Sequence, residues 1–333
     1  MHSVVYPQYR ARGMTLVELM VGLALGMALS VAALKLFGDA SASAKNIQRA
    51  TIQIENARYA TELLREDLEL AGFYGEIVTQ GASYSAPDPC ETAPSAFAAS
   101  PLALPAPVRG LPASEAVACL SHRRSGSDAL VTRRLDTHTV DPASVGVSEV
   151  GHHVQASFCD ADPAAARLVL GTTSAVFTLR NRACTAANRV RLYMPRIYFI
   201  ANCNRCGTGG DTIPTLKRLD LLGTVWRETA LVEGIETLRI EYGFDTDNDG
   251  SADVYRTTLG TIGAESRWEN VMTLKLHFVI RSPETVIGEK LASVQTFDLG
   301  GAGIVETAND GFVRRAVSST VRLVNPSAAR EVQ

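Results

Sequence analysis

The 333-residue chain predicts an α+β fold: a long N-terminal α-helix, made of a membrane half and an amphipathic half, packed on a mostly antiparallel β domain. Three observations predict it. An apolar run, Met14 to Phe37, opens the chain, and no proline falls between Gln8 and Ala86. Small apolar residues then recur at three- and four-residue steps as far as Ala71. Later segments alternate apolar and polar residues with period two, the signature of strands with one buried face. Composition agrees, since 46% hydrophobic and 20% charged residues exclude collagen-like, low-complexity and wholly disordered chains. A balance of 32 basic against 35 acidic residues, net charge -3, gives no bulk attraction to nucleic acid or to an anionic membrane surface.

The apolar run is interrupted only by Glu18 and Lys35. As a helix its 24 residues extend about 36 Å, enough to cross a hydrocarbon core of about 30 Å. Arg10 and Arg12 place the short N-terminal side in the cytoplasm and the rest of the chain across the membrane. A secretory signal peptide, cut near Ala40, Ala42 and Ala44, is the alternative, but the run is too long and holds a carboxylate. Buried in lipid without a partner, Glu18 would cost about 2 to 3 kcal/mol. A partner is therefore expected.

The string RGMTLVELMVGLALG resembles the class III signal of type IV prepilins and type II secretion pseudopilins. The resemblance implies a leader at 1–13, cleavage after Gly13 by a prepilin peptidase, N-methylation of Met14, and a filament-core helix at 14–37. It also implies that Glu18 neutralises the freed amino terminus of a neighbouring subunit during docking.

Residues 38–72 form the second helix half. Ile47, Ala50, Ile54, Ala57, Ala60, Leu64, Leu68 and Ala71 line one face, while Arg65 with Glu69 and Arg58 with Glu62 meet on the exposed side. One helix from Met14 to about Gly72 would be about 90 Å long. Residues 73–333 make a β-rich domain with loops near 75–120, rich in Ala, Pro and Ser, and near 140–190. Strands are predicted in DALVTRR, RLVLG, AVFTLRN, RVRLYMPRIYFIAN, TLKRLDLL, ETLRIEYGF, NVMTLKLHFVIRS and VSSTVRLVN. Leu238, Ile240, Tyr242 and Phe244, and Leu274, Leu276, Phe278 and Ile280, supply the two clearest buried faces.

SGSDALVTRR, TLKRLDL, LVEGIETLRIEYGFDTDNDGSADVYR, WENVMTLKLHFVIRS and RRAVSSTVRLVN resemble the PilW family of type IV pilus minor pilins. The resemblance implies a pilin-like fold and an assembly protein, not an enzyme. Its expected partners are other minor pilins, the major pilin, the prepilin peptidase, the inner-membrane assembly machinery and a tip adhesin. It places the chain in the bacterial inner membrane with a periplasmic C-terminal domain, and then in the pilus. A J-type pseudopilin of type II secretion is the nearest alternative. A periplasmic calcium-binding protein released by signal peptidase is the alternative from another class.

DTDNDGSAD sets Asp245, Asp247, Asp249, Ser251 and Asp253 around Gly250, with carboxylates at positions one, three, five and nine of an EF-hand-like loop. Calcium is the expected cation, at roughly 0.1 to 1 mM affinity, because Arg256 stands where the bidentate glutamate would be. A plain Asp- and Gly-rich turn is the alternative. Six cysteines, Cys90, Cys119, Cys159, Cys184, Cys203 and Cys206, follow the membrane run, where oxidation is permitted. Of fifteen connectivities the local one is expected: Cys90 with Cys119, Cys159 with Cys184, Cys203 with Cys206. The C-x-x-C at Cys203 could serve redox or zinc chemistry, but no second pair and no βαβ setting accompany it, so a structural bridge is expected. No catalytic set stands out among the six histidines, and the Arg123-Arg124 and Arg133-Arg134 pairs are weak signals for DNA.

Overall fold

The computed structural model describes residues 13–163, 167–285 and 294–331, so the predicted leader, Gly13 apart, lies outside the described residues. Two compact units divide the chain, Met1–Thr51 and Ile52–Gln333. Helix α1, Leu16–Leu70, runs through both. In the first unit its apolar side chains, from Leu16 to Phe37, are all exposed, and no residue of its most apolar membrane-length window is buried by the chain.

In the second unit α1 presents Gln53, Ala57, Ala60, Leu64, Asp67 and Leu68 to the β domain. Ala57, Ala60, Leu64, Leu68 and Ala71 of the predicted stripe are buried, and it departs only toward its N-terminal end, where Ile54 is 56% exposed and Gln53 only 2%. Gln53 is drawn in because its side-chain amide donates to the carbonyls of Ile280 (3.2 Å) and Val313 (2.8 Å), beside the point where the pairing of their two strands shifts register. On the exposed side Arg65 meets Glu62 at 2.5 Å and Glu69 at 3.9 Å. Gly72, at φ +75°, ends the helix and donates its N–H to Arg133 O; a Cβ there would lie 2.9 Å from Pro107 Cγ, so both the turn and the close approach require glycine.

The largest sheet has seven strands. Five follow the order β10 (Val225–Glu233), β9 (Thr215–Leu222), β8 (Val190–Ala201), β5 (Ala129–Leu135), β4 (Val108–Leu111), and β6 (His153–Ala156) pairs with both β8 and β7 (Leu168–Gly171). The four-stranded sheet runs β12 (Val254–Arg256), β11 (Ile235–Phe244), β13 (Val271–Thr285), β16 (Phe312–Arg322). All pairings in both are antiparallel. A small sheet orders β1 (Ser83–Ser85), β3 (Leu102–Pro105) and β2 (Ala98–Ala99), with β1 and β3 parallel, and β14 (Thr296–Asp298) pairs with β15 (Ile304–Glu306). The stretches read as loops at 75–120 and 140–190 thus carry short strands of their own. AVFTLRN is not a strand; a 3-10 turn at Ser174–Val176 leads Phe177 in to pack with Val145 and Val190.

Alternation sets the core. Leu238 faces Phe278, Ile240 faces Leu276 and Tyr242 faces Leu274 across β11 and β13. With Leu130, Tyr198, Ile200 and Leu216 from the larger sheet and Ala57, Ala60, Leu64 and Leu68 from α1, they form one buried cluster. Each large apolar side chain so buried contributes about 1.5 to 3 kcal/mol. The opposite face of β5 and β8 is buried too, through Ala129, Val131, Ile197 and Phe199 against Leu120. Strand β5 is consequently buried at every residue.

Helix α1 also carries a charge into this core. Asp67 of α1, 3% exposed, accepts from Arg196 Nη1 at 2.6 Å, Arg134 Nε at 3.0 Å and the Thr132 hydroxyl. Burial pushes its carboxyl pKa up, but Arg196, Thr132 and Arg134 outweigh burial and hold it below the ordinary value. Arg196 also reaches Asp220 at 3.0 Å, and Arg218 reaches Asp220 at 2.8 Å, so α1 is tied by charge to β5, β8 and β9.

At the C-terminal end a second helix, α2 (Val324–Glu331), follows β16, and Pro326 is tolerated in its first turn. Asn325 Nδ2 donates to Glu69 O and Ala71 O, satisfying carbonyls that the end of α1 leaves without helical partners.

Candidate functional site

The start of α1 is a reciprocal cap. Thr15 donates its backbone N–H (2.9 Å) and hydroxyl (3.1 Å) to Glu18 Oε2, and Glu18 donates its N–H back to Thr15 Oγ1 at 3.2 Å. This is a capping box, T-x-x-E, and the carboxylate also faces the positive end of the helix dipole. Thr15 and Glu18 stand at the T-x-x-E spacing in the sequence, so the cap is a purely local feature. Gly13 and Met14 precede the cap in an exposed stretch without regular secondary structure. Glu18 is exposed as well, so the carboxylate is both satisfied within its own chain and open to a partner.

The acidic loop joins β11 to β12. Asp245, Asp247 and Asp253 each bring a carboxylate oxygen to within 4.8 Å of the others; Asp249 is not in that group. Asp249 Oδ1 instead accepts from Ser251 N at 2.7 Å, and Asp253 Oδ2 accepts from both Thr246 N and Thr246 Oγ1 at 2.7 Å. Thr246 is the main reason that the Asp253 carboxyl lies below its ordinary pKa. Asp245 is fully buried, and its oxygens accept from Asn248 N (2.7 Å), Gly250 N (3.0 Å) and Arg330 Nη1 of α2 (2.8 Å). Arg330 is itself clamped by Glu269 O and the Asn270 side chain. Burial raises the Asp245 carboxyl pKa, but Arg330 and the two N–H groups prevail and hold it low. Gly250 (φ +85°) is required by more than its turn, because a Cβ would lie 2.7 Å from Ser327 O of α2. The residue that approaches Asp245 from outside the loop is thus a cation, not a further acid. Nothing in the local sequence pointed to Arg330, which is 85 positions away.

Cystines pair Cys90 with Cys119, Cys159 with Cys184 and Cys203 with Cys206, with Cα separations of 5.6, 5.0 and 5.2 Å. By loop entropy the first two are worth about 3.5 kcal/mol each and the third about 2. The paired arginines are internal. Arg123 donates to the carbonyls of Leu111, Pro112, Glu115 and Ser127, Arg124 pairs with Glu236 at 2.6 Å, Arg133 is buried, and Arg134 belongs to Asp67. His277 on β13 is held between Ser318 (2.7 Å) and Glu241 (2.9 Å), bracing three adjacent strands.

Residues 197–325 match the family described as Type IV Pilus-assembly protein W, and residues 9–34 match the Prokaryotic N-terminal methylation motif. No curated protein matches the chain. A solved structure similar to it is the Type IV-like pilin TTHA1219 from Thermus thermophilus, at 11% identity, covering 82% of this chain and 97% of that one, with a TM-score of 0.35. With the methylation motif on the helix that carries Glu18 and the pilus-assembly match running from within β8 to the end of β16, the chain is similar to the PilW family of type IV pilus-assembly proteins.

Proposed function

We propose that the chain is a minor pilin that docks with other minor pilins into a tip or priming complex from which the pilus grows. The observation that carries this is the start of α1. An apolar helix that the chain itself does not cover must be covered by lipid or by other helices, and its one early carboxylate is held in reach of a partner. In this reading the prepilin peptidase trims the chain after Gly13, and Met14 becomes the methylated first residue. The chain waits in the inner membrane with its β domain in the periplasm, and the assembly machinery then draws it into the filament. On docking, Glu18 exchanges its own Thr15 N–H for the amino terminus of a neighbouring pilin, so that neither charge stays unpaired in the apolar bundle. The β domain meets the major pilin or a tip adhesin. Motility, adhesion and DNA uptake follow from the whole pilus.

Replacing Glu18 by Ala is expected to leave leader cleavage largely intact while lowering incorporation into sheared pili several-fold, read by quantitative immunoblot. Wild-type incorporation would argue against the charge-pair role.

The acidic loop fits a calcium ion in donor chemistry: Asp245, Asp247 and Asp253 converge as hard oxygen ligands, and Arg330 already uses one Asp245 oxygen. When bound, calcium would rigidify the β11–β12 turn. Calorimetry of the full chain in detergent is expected to show weak binding at about 0.1 to 1 mM calcium that is lost in Asp247→Ala. This variant leaves the Asp245–Arg330 pair untouched. No heat at millimolar calcium would leave the loop a simple turn.

A further inference from the structure

The Cys203–Cys206 bridge differs from the other two. They close 29 and 25 residues of chain, whereas it closes three, so it restrains the unfolded chain least. Its surroundings are also different. Lys217 on β9, 2% exposed, donates from Nζ to Cys206 Sγ at 3.3 Å. The same Nζ reaches Glu228 Oε1 of β10 at 2.6 Å. His122, held in the left-handed region at φ +59°, brings a ring nitrogen to within 4.8 Å of both sulfurs. Cys203 is buried and Cys206 is partly exposed. A cystine sulfur is a weak acceptor and makes little use of a buried ammonium. A thiolate in the same place gains a full ionic partner, the setting in which cysteines become reactive.

We propose that Cys203–Cys206 is an exchange-active disulfide whose partner is a dithiol on another protein chain, with Cys206 forming the mixed disulfide and Lys217 holding its thiolate. A partner thiolate attacks Cys206 Sγ, the bond to Cys203 breaks, and Cys203 leaves as a thiolate that takes a proton, with His122 close enough to deliver it. The second partner thiolate then attacks the partner's sulfur in the mixed disulfide. The partner departs as a disulfide, having given up two electrons, and Cys206 remains as the thiolate beside Lys217. Run in reverse, the same steps reduce a partner cystine to its dithiol and oxidise this chain: Cys206 attacks the partner cystine, and Cys203 then attacks Cys206 Sγ, releasing the second partner thiolate and closing the bridge. The C-x-x-C pattern alone could not show this, because Lys217 comes from a neighbouring strand eleven positions on.

The test uses the full chain in detergent micelles with a chelator present and dithiothreitol as the dithiol probe. Aliquots reduced at graded dithiothreitol are trapped with iodoacetamide and read by peptide mass spectrometry. Cys203 and Cys206 are expected to be labelled at dithiol levels that leave the other four cysteines bonded. Once reduced, Cys206 is expected to alkylate at pH 7 about tenfold faster than in Lys217→Met, the effect of about one unit in thiol ionisation. Glu228→Gln, which keeps the lysine and frees its charge, is expected to speed alkylation about threefold; this variant decides the matter if Lys217→Met does not fold. A bridge as resistant as the other two, or a Cys206 rate unchanged in the folded variants, overturns the proposal.

Discussion

Asp67→Ala is expected to lower the stability of the β domain by about 3–5 kcal/mol, a drop in melting temperature on the order of 10 °C. The size comes from what the change leaves behind. Arg196 and Arg134 both aim at Asp67 from within the helix–sheet interface, and without the carboxylate their charges stay buried with reduced compensation. Arg196 keeps Asp220, so Arg134 bears most of the loss. Asp67→Asn, which keeps the shape and the Thr132 contact, is expected to recover only part of it. Thermal unfolding of the full chain in detergent checks this. A variant within about 1 kcal/mol of wild type would mean that the network is neutral to stability.

Arg330→Ala is expected to cost about 3 kcal/mol near pH 7, since it leaves Asp245 ionised, fully buried and without its cation. The pH dependence has a definite sign. Arg330 and the loop N–H groups hold the Asp245 pKa below its unfolded value of about 3.9. The pair's stabilisation is therefore complete above about pH 4 and fades as pH falls through the lower, folded value. The stability gap between wild type and Arg330→Ala should narrow as pH falls below about 4. A gap that stays constant as the carboxyl is protonated would show that Arg330 acts through packing alone. Because α2 also supplies Asn325 to the carbonyls at the end of α1, loss of Arg330 is expected to raise hydrogen exchange at Ala71 and Gly72 as well.

How much of this the sequence made legible depends on the distance over which each residue acts. Period two in ETLRIEYGF and NVMTLKLHFVIRS marked β11 and β13 because one face of each is core and the neighbouring strand repeats the pattern. The long α1 was visible for a similar reason, its apolar and alanine-rich stretches being uninterrupted by proline. From Ala57 to Ala71 its apolar stripe is the buried face, and only at Gln53 and Ile54 does a hydrogen bond decide the packing instead: Gln53 turns inward to two strand carbonyls and Ile54 turns out. Asp67 follows Leu64 at helical spacing, yet an acid among Arg65, Glu66 and Glu69 reads as solvated until Arg134 and Arg196 are seen opposite. Helix α2 was hidden in VNPSAARE, where a strand-like lead-in and a proline mask a helix held by contacts with α1 and the acidic loop. Thr15 is the opposite case, a purely local signal whose partner Glu18 lies three positions on.

Amino-terminal mass spectrometry of the chain from its native membrane tests the central claim most directly. An amino terminus at N-methylated Met14, with residues 1–13 removed, is the expected result. A chain beginning near Lys45, as signal peptidase would leave it, would separate the apolar helix and Glu18 from the β domain and contradict the pilin account.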